Sequence, residues 1–71
     1  MTAIEVPGLG TVRSGTTNVV SAPISASVVS LMIRRGWEVQ VSDGSGDARF
    51  RATRQIDDQH YLVVGRVSGG R

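Results

Sequence analysis

The sequence predicts an α+β fold in which one helix packs on a three-stranded antiparallel sheet (α-β-β-β), preceded by an N-terminal strand or short hairpin. Three observations predict it: a central apolar segment with helix start and stop residues, two alternating segments joined by a Gly-Ser turn, and a further apolar segment after an Asp-Asp turn. The 71 residues leave room for one domain. We expect an extended or hairpin segment over 1–20, a helix over 21–36, a three-stranded meander over 37–67 and a flexible tail over 68–71.

The N-terminal third alternates briefly and is rich in glycine. Ala3–Val6 has the pattern of a short strand, residues 7–10 (Pro-Gly-Leu-Gly) are typical of a turn, and Thr11–Arg13 can return as a second strand. Thr16–Val20 suits another extended segment, because Thr and Val favour strands, or a loose arm.

The central segment carries signals at both ends of a helix. Ser21 is a suitable N-cap, and Pro23 is tolerated in a first turn. Ile24–Arg35 contains no Gly or Pro, and Gly36 is a typical C-terminal stop.

The apolar side chains of this helix span roughly 220°, which is wider than the stripe that a one-sided helix needs. Two explanations remain open: the N-terminal segment covers the excess, or the excess is an interface with a second copy of the chain or with another protein. For the interface we expect one helix face to contact the partner, formed by Ala26, Val29, Met32 and Ile33.

The next segment has the period of two that is typical of a hairpin. Trp37, Val39 and Val41 alternate with polar residues, residues 43–46 (Asp-Gly-Ser-Gly) predict a turn, and a second alternating segment follows. The predicted register pairs Val41 with Ala48, Val39 with Phe50 and Trp37 with Ala52 on one face, and Gln40 with Arg49 and Glu38 with Arg51 on the other. Asp57-Asp58 then predicts a second turn. His60–Val67 predicts a third strand. Its residues 61–64 (Tyr-Leu-Val-Val) are apolar on both faces, which favours a central strand or one that is covered on both sides.

Composition narrows the function classes. The chain has no Cys and one His, so we expect no disulfide, no metal site and no cofactor. All eight basic residues are Arg and the net charge is only +2, which is low for a general nucleic-acid binder.

The absence of Lys, with abundant Gly, Val, Ser and Thr, indicates a GC-rich genome such as that of an actinobacterium or its phages. Neither a secretory signal nor a membrane-spanning segment is apparent, so we expect a cytoplasmic protein.

Five arginines form the main charged candidate site. Arg49, Arg51 and Arg54 line one predicted strand, and Arg34 and Arg35 end the helix. They can contact a nucleic-acid backbone, or they can form a solvated sheet face on which Glu38 pairs with Arg51. No stacking aromatic residue interleaves them.

The segment from Ile24 to Val67 resembles the HicA-type toxins of the double-stranded-RNA-binding fold. The likeness lies in the element order and in Gly36-Trp37, Gly44-Ser45 and Phe50-Arg51. It implies RNA binding through this topology. In that family a catalytic His follows Gly-Ser, whereas Gly46 stands there in this chain and the C-terminal helix is missing, so the resemblance does not imply RNA cleavage.

No set of residues predicts catalysis. Ser45, His60 and Asp57 or Asp58 are common residue types at no diagnostic spacing, and the four turn aspartates (43, 47, 57 and 58) are explained by turn chemistry. We therefore expect a non-enzymatic interaction or regulatory module that binds itself or a host protein through its helix, with no membrane and no small-molecule substrate. The alternative is nucleic-acid binding through the arginines.

Overall fold

The computed structural model describes residues 2–43 and 48–68. For Asp43 it describes the backbone only. The predicted Gly-Ser turn (from 44 on) and the tail beyond Ser68 lie outside the described residues. The described elements are β1 (Ala3–Val6), β2 (Gly10–Arg13), β3 (Thr17–Val19), α1 (Ala26–Arg34), β4 (Glu38–Asp43), β5 (Ala48–Ile56) and β6 (Gln59–Val67).

The sheet architecture differs from the prediction of a single three-stranded antiparallel sheet, which was wrong. The described residues form a two-stranded antiparallel sheet, β1-β2, and a four-stranded mixed sheet in the order β3-β6-β5-β4. The additional strand, β3, pairs in parallel with β6, so that Thr17 lies opposite Leu62 and Val19 opposite Val64. This arrangement also differs from the topology that the HicA resemblance implied. β3 comes before the helix in the sequence and forms the edge of the sheet beside β6.

β3 is held in place by the side chain of Asn18. Its Oδ1 accepts a hydrogen bond from the Arg13 N–H (3.0 Å), and its Nδ2 donates to the carbonyls of Arg13 (2.9 Å), Thr16 (3.2 Å) and Leu62 (2.9 Å). One amide therefore joins the end of β2 to both β3 and β6. The alternative of a loose arm over 16–20 does not apply.

The helix is shorter than predicted, and the predicted N-cap at Ser21 is wrong. Ile24 continues alongside β6: its N–H donates to the Arg66 carbonyl (2.9 Å), and its own carbonyl accepts from the Ser68 N–H (2.7 Å). The ring of Pro23 also disfavours helical backbone geometry at the residue that precedes it. Ser25 is the N-cap instead, and its Oγ accepts from the Val28 N–H at 3.4 Å.

The helix ends at the predicted place. Gly36 has φ +98°, a left-handed conformation that costs a glycine little. The Trp37 N–H donates to the Met32 carbonyl (3.0 Å) and the Gly36 N–H donates to the Ile33 carbonyl (3.1 Å). These two bonds form a Schellman motif, and the accompanying apolar contact is provided by Met32 and Trp37, both buried.

The β4–β5 register is displaced by two residues from the predicted one. Val39 lies opposite Ala52, Val41 opposite Phe50, Gln40 opposite Arg51 and Glu38 opposite Thr53. The predicted cross-strand pair of Glu38 with Arg51 is therefore wrong. The faces remain as predicted, because a shift of two residues returns every side chain to the same side of the sheet. Trp37 lies outside the strand because it belongs to the helix end.

β5 and β6 form a long hairpin around Asp57-Asp58, with Ile56 opposite Gln59. Asp57 has φ +55°, in the left-handed region that Asp tolerates better than most residues. β6 lies between β3 and β5, which confirms that the segment His60–Val67 is a central strand.

The two faces of the four-stranded sheet differ. The face that carries Phe50, Ala52, Tyr61 and Val63, here called the inner face, is covered by α1 and the β1–β2 hairpin. Val6 and Val12 of the hairpin and Met32 of the helix complete this core. The opposite face, here called the outer face, carries the alternate residues of each strand.

The hairpin is docked by a buried polar cluster as well as by Val6 and Val12. Ser14 is 2% exposed. Its Oγ accepts from the Thr2 N–H (3.0 Å) and donates to Gln59 Oε1 (2.7 Å), while Thr2 Oγ1 lies 2.8 Å from the Tyr61 hydroxyl. Every oxygen of this cluster has a partner, so the burial of Ser14 leaves no hydrogen-bonding group unsatisfied.

Candidate functional site

β4 forms an open edge of the four-stranded sheet. It pairs with β5 on one side, and no other described strand pairs with it on the other. Natural proteins commonly protect exposed edges with charged side chains, above all Lys, with Pro, with bulges or with very short strands. β4 spans six residues, contains no Lys or Pro, and carries its two charged residues, Glu38 and Asp43, only at its ends.

β3, at the opposite edge of the sheet, is protected. It spans only three residues, and it lies beside β2. Asn18 further ties this edge to the Arg13 backbone. The sheet therefore has one covered edge and one open edge.

Large apolar side chains are exposed on α1 and on β4, two elements that contact each other. Ile33 of α1 is 55% exposed and Val41 of β4 is 50% exposed. The third exposed large apolar side chain in the described part of the chain, Val19, lies on the outer face of β3.

The predicted partner-binding helix face is only partly accessible. Ala26 and Ile33 are exposed, and Val29 is half-buried. Met32 is 1% exposed and packs in the core, so its assignment to a contact surface is wrong. Met32 belongs to the same buried cluster as Trp37, Phe50 and Ala52, on the side of the helix that packs into the core. The accessible rim of the helix is Ala26, Val29 and Ile33.

The predicted arginine site is divided by the sheet. Arg49 and Arg51 are exposed on the outer face, whereas Arg54 has the parity of Phe50 and Ala52 and lies on the inner face. There its Nε would lie 3.6 Å from a Cβ placed on Gly36, at the carboxyl end of α1, where a cation is favoured by the helix dipole. Arg34 and Arg35 are exposed at that same end. The five arginines thus form two groups on opposite faces.

Arg66 joins the outer group, although sequence reasoning did not select it. It lies directly opposite Arg49, and its Nη2 donates to the Ser21 carbonyl at 3.4 Å. Beside these arginines lie exposed Val19 and half-buried Val64. The alternation of β6 places Arg66 on the outer face, but its position opposite Arg49 depends on the register, which the pattern alone does not fix.

The residues considered for catalysis do not come together as a site in the described part of the chain. His60 is exposed on the outer face opposite Gln55, in a shallow depression of about 390 Å³ that Glu38 and Arg54 also line. Ser45 and Asp47 lie outside the described residues. Within residues 2–43 and 48–68, no three His, Cys, Asp or Glu side chains come together as a metal-binding group.

Comparison of the chain with protein families, with curated proteins and with solved structures finds no match. In the part of the chain that the structure describes, no helix has the length and apolarity that crossing a bilayer requires. The candidate site therefore rests on the geometry of α1 and β4.

Proposed function

We propose that the protein is a small non-enzymatic interaction or regulatory module of the cytoplasm that binds protein through the surface formed by α1 and β4. The partner is a second copy of the chain or a host protein, in keeping with an origin in a phage of a GC-rich host. The observation that carries the proposal is the coincidence of two exposed apolar side chains, Ile33 and Val41, with an unpaired strand edge.

The surface has the properties that strand-edge and helix-face recognition use. An open edge offers unpaired N–H and C=O groups, which supply affinity, and neighbouring apolar side chains supply specificity. Covering the exposed parts of Ile33 and Val41 contributes about 1 kcal/mol each. Small side chains at Ala26 and Ser30 on the exposed side of α1 allow a partner to approach closely.

The test is the mass in solution across a range of protein concentrations, measured by light scattering. We expect the wild-type chain to exceed the monomer mass at high concentration, and Ile33→Lys and Val41→Lys to return it to monomer. Val19→Lys is the matched control, because Val19 is more exposed than either residue but lies on the outer face of the other edge strand. A wild-type chain that stays monomeric would exclude a second copy as the partner, and an equal loss of association in the control would contradict the α1–β4 surface.

A second candidate function is nucleic-acid binding by the outer face. The observation in its favour is that Arg49, Arg51 and Arg66 share one face that no described element covers. Its test is binding of a short labelled duplex at several salt concentrations. Arg49→Glu combined with Arg51→Glu is expected to weaken binding strongly at low salt and, with two phosphate contacts removed, to lower the salt slope by about 2. Arg13→Glu, an exposed change on β2, is the control, and equal binding by the double variant would exclude this function.

A further inference from the structure

The open edge of β4 is self-complementary. A two-fold axis perpendicular to the sheet at Gln40 sets the strand antiparallel to its copy. Gln40 then lies opposite Gln40 of the second copy, Val39 opposite Val41, and Glu38 opposite Ser42. Apolar side chains meet apolar side chains on the inner face, and polar side chains meet polar ones on the outer face.

Charge favours the same arrangement. Glu38 lies at one end of β4, so the antiparallel pairing places the two Glu38 carboxylates at opposite ends of the joined strands. They are then separated by about 14 Å, four residues of strand, which exceeds the Debye length of about 8 Å at physiological salt. An antiparallel register centred on Glu38 would instead place Glu38 directly against Glu38, an unfavourable cross-strand pair.

We infer that two copies of the chain associate through antiparallel β4–β4 pairing centred on Gln40, which joins their four-stranded sheets into one continuous sheet of eight strands. The inference rests on the proposed function and deepens it by naming the partner and the register. Because the axis is perpendicular to the sheet, both inner faces lie on the same side, and both copies of α1 lie on that side of the joined sheet. Val41 is then covered by Val39 of the second copy, which accounts for its exposure in the single chain.

The absence of Cys from the sequence allows a direct test of the register. Gln40→Cys places the two new thiols directly opposite each other, within the distance that a disulfide spans, whereas two Ser42→Cys thiols lie about 14 Å apart. Both positions are exposed, so neither change disturbs the core. Under mild oxidation we expect Gln40→Cys to form at least tenfold more covalent dimer than Ser42→Cys. A mixture of Glu38→Cys and Ser42→Cys should cross-link as the heterodimer in preference to either homodimer.

The outcomes separate this inference from the proposed function. If the wild-type chain associates and Ile33→Lys abolishes the association, but Gln40→Cys cross-links no better than Ser42→Cys, the α1–β4 surface stands and the β4–β4 register is wrong. If association survives both Ile33→Lys and Val41→Lys, the proposed surface is itself wrong. Selective cross-linking at Gln40, together with the Glu38–Ser42 heterodimer, establishes the two-fold strand pairing.

Discussion

The hairpin of β5 and β6 and the N-terminal segment that contains β1–β3 are attached to the fold by different forces. The hairpin is held by apolar burial, because its side chains Phe50, Ala52 and Val63 are buried in the core. The N-terminal segment also contributes Val6 and Val12 and pairs its β3 backbone with β6, but its side-chain attachment to β6 consists of hydrogen bonds of Asn18 and Ser14. Apolar burial is non-directional and tolerates small displacements, whereas a hydrogen bond that loses its partner leaves a polar group unsatisfied. We therefore expect single polar substitutions to detach the N-terminal segment selectively.

The largest effect is expected from Asn18→Asp. The nearly isosteric carboxylate cannot donate to the carbonyls of Arg13, Thr16 and Leu62, and it places a negative charge against them. We expect a loss of about 2–4 kcal/mol in the free energy of unfolding at neutral pH. Urea denaturation measures the loss, and hydrogen exchange should show that amides of residues 2–19 lose protection while those of β5 remain protected.

The sign of the pH dependence provides a control for this variant. The substituted carboxyl group faces carbonyl oxygens, so its charged form is disfavoured and its pKa in the folded state lies above the unfolded value. The variant should therefore recover part of its stability as the pH falls through that folded-state pKa. A loss of stability that is equal at pH 4 and pH 7 would argue against repulsion by the carbonyls.

Gly65→Ala tests the region of the comparison that is held by apolar burial, the β5–β6 hairpin. A Cβ at Gly65 would lie 2.8 Å from Cε1 of the Phe50 ring and 3.2 Å from Cβ of Val20. Phe50 is 2% exposed and has little room to move, so we expect a loss of about 1–3 kcal/mol. In contrast to Asn18→Asp, the loss of amide protection should extend over both β5 and β6. Recovery of stability in the double variant Gly65→Ala, Phe50→Leu would identify the ring as the source of the strain.

Ser14→Ala is expected to cost about 1–2 kcal/mol, because Gln59 Oε1 and the Thr2 N–H lose a buried partner. Thr11→Ala, which removes an exposed hydroxyl that donates to Glu5, is the matched control and should change stability by less than about 0.5 kcal/mol. Thermal unfolding compares the two. Equal melting temperatures would mean that the buried cluster does not hold the N-terminal segment.

The smallest effect concerns the β5–β6 turn. Asp57 has φ +55°, which glycine adopts without steric strain. Asp57→Gly relieves that strain but increases the entropy of the unfolded chain, so we expect a gain of at most about 1 kcal/mol. Asp58→Gly is the control, since Asp58 has no positive φ and gains nothing from the change. A greater gain in Asp58→Gly than in Asp57→Gly would contradict this account of the turn.

The features that the sequence predicted are those that depend on local pattern. The N-terminal hairpin follows from alternation, the helix stop at Gly36 from glycine geometry, and the central position of β6 from apolar residues on both of its faces. The β4–β5 register does not, because a shift of two residues preserves both faces, and only the three-dimensional structure distinguishes Val41 opposite Phe50 from Val41 opposite Ala48.

The remaining differences arise from tertiary contacts made by polar residues. The pairing of β3 with β6 depends on Asn18, which resembles any loop residue in a Gly-rich segment. For the candidate site, strand parity already separates Arg54 from Arg49 and Arg51, so that division was accessible from the sequence. The burial of Met32 was not, because it depends on how the helix packs into the core that also contains Trp37.

Because β6 lies in the middle of the sheet, the four-stranded sheet cannot fold completely until β6 has been synthesised. The ribosome makes β3 before the helix and makes β6 last among the described strands, yet β3 pairs with β6. Until β6 emerges, the amide of Asn18 and the hydroxyl of Ser14 lack their partners on that strand, Leu62 and Gln59. Closure of this long loop has an entropic cost that must be met before the parallel pairing stabilises the chain, so its folding should be slower than that of a helical bundle of equal length. Nascent chains that stop before β6 should accordingly be good substrates for chaperones and proteases.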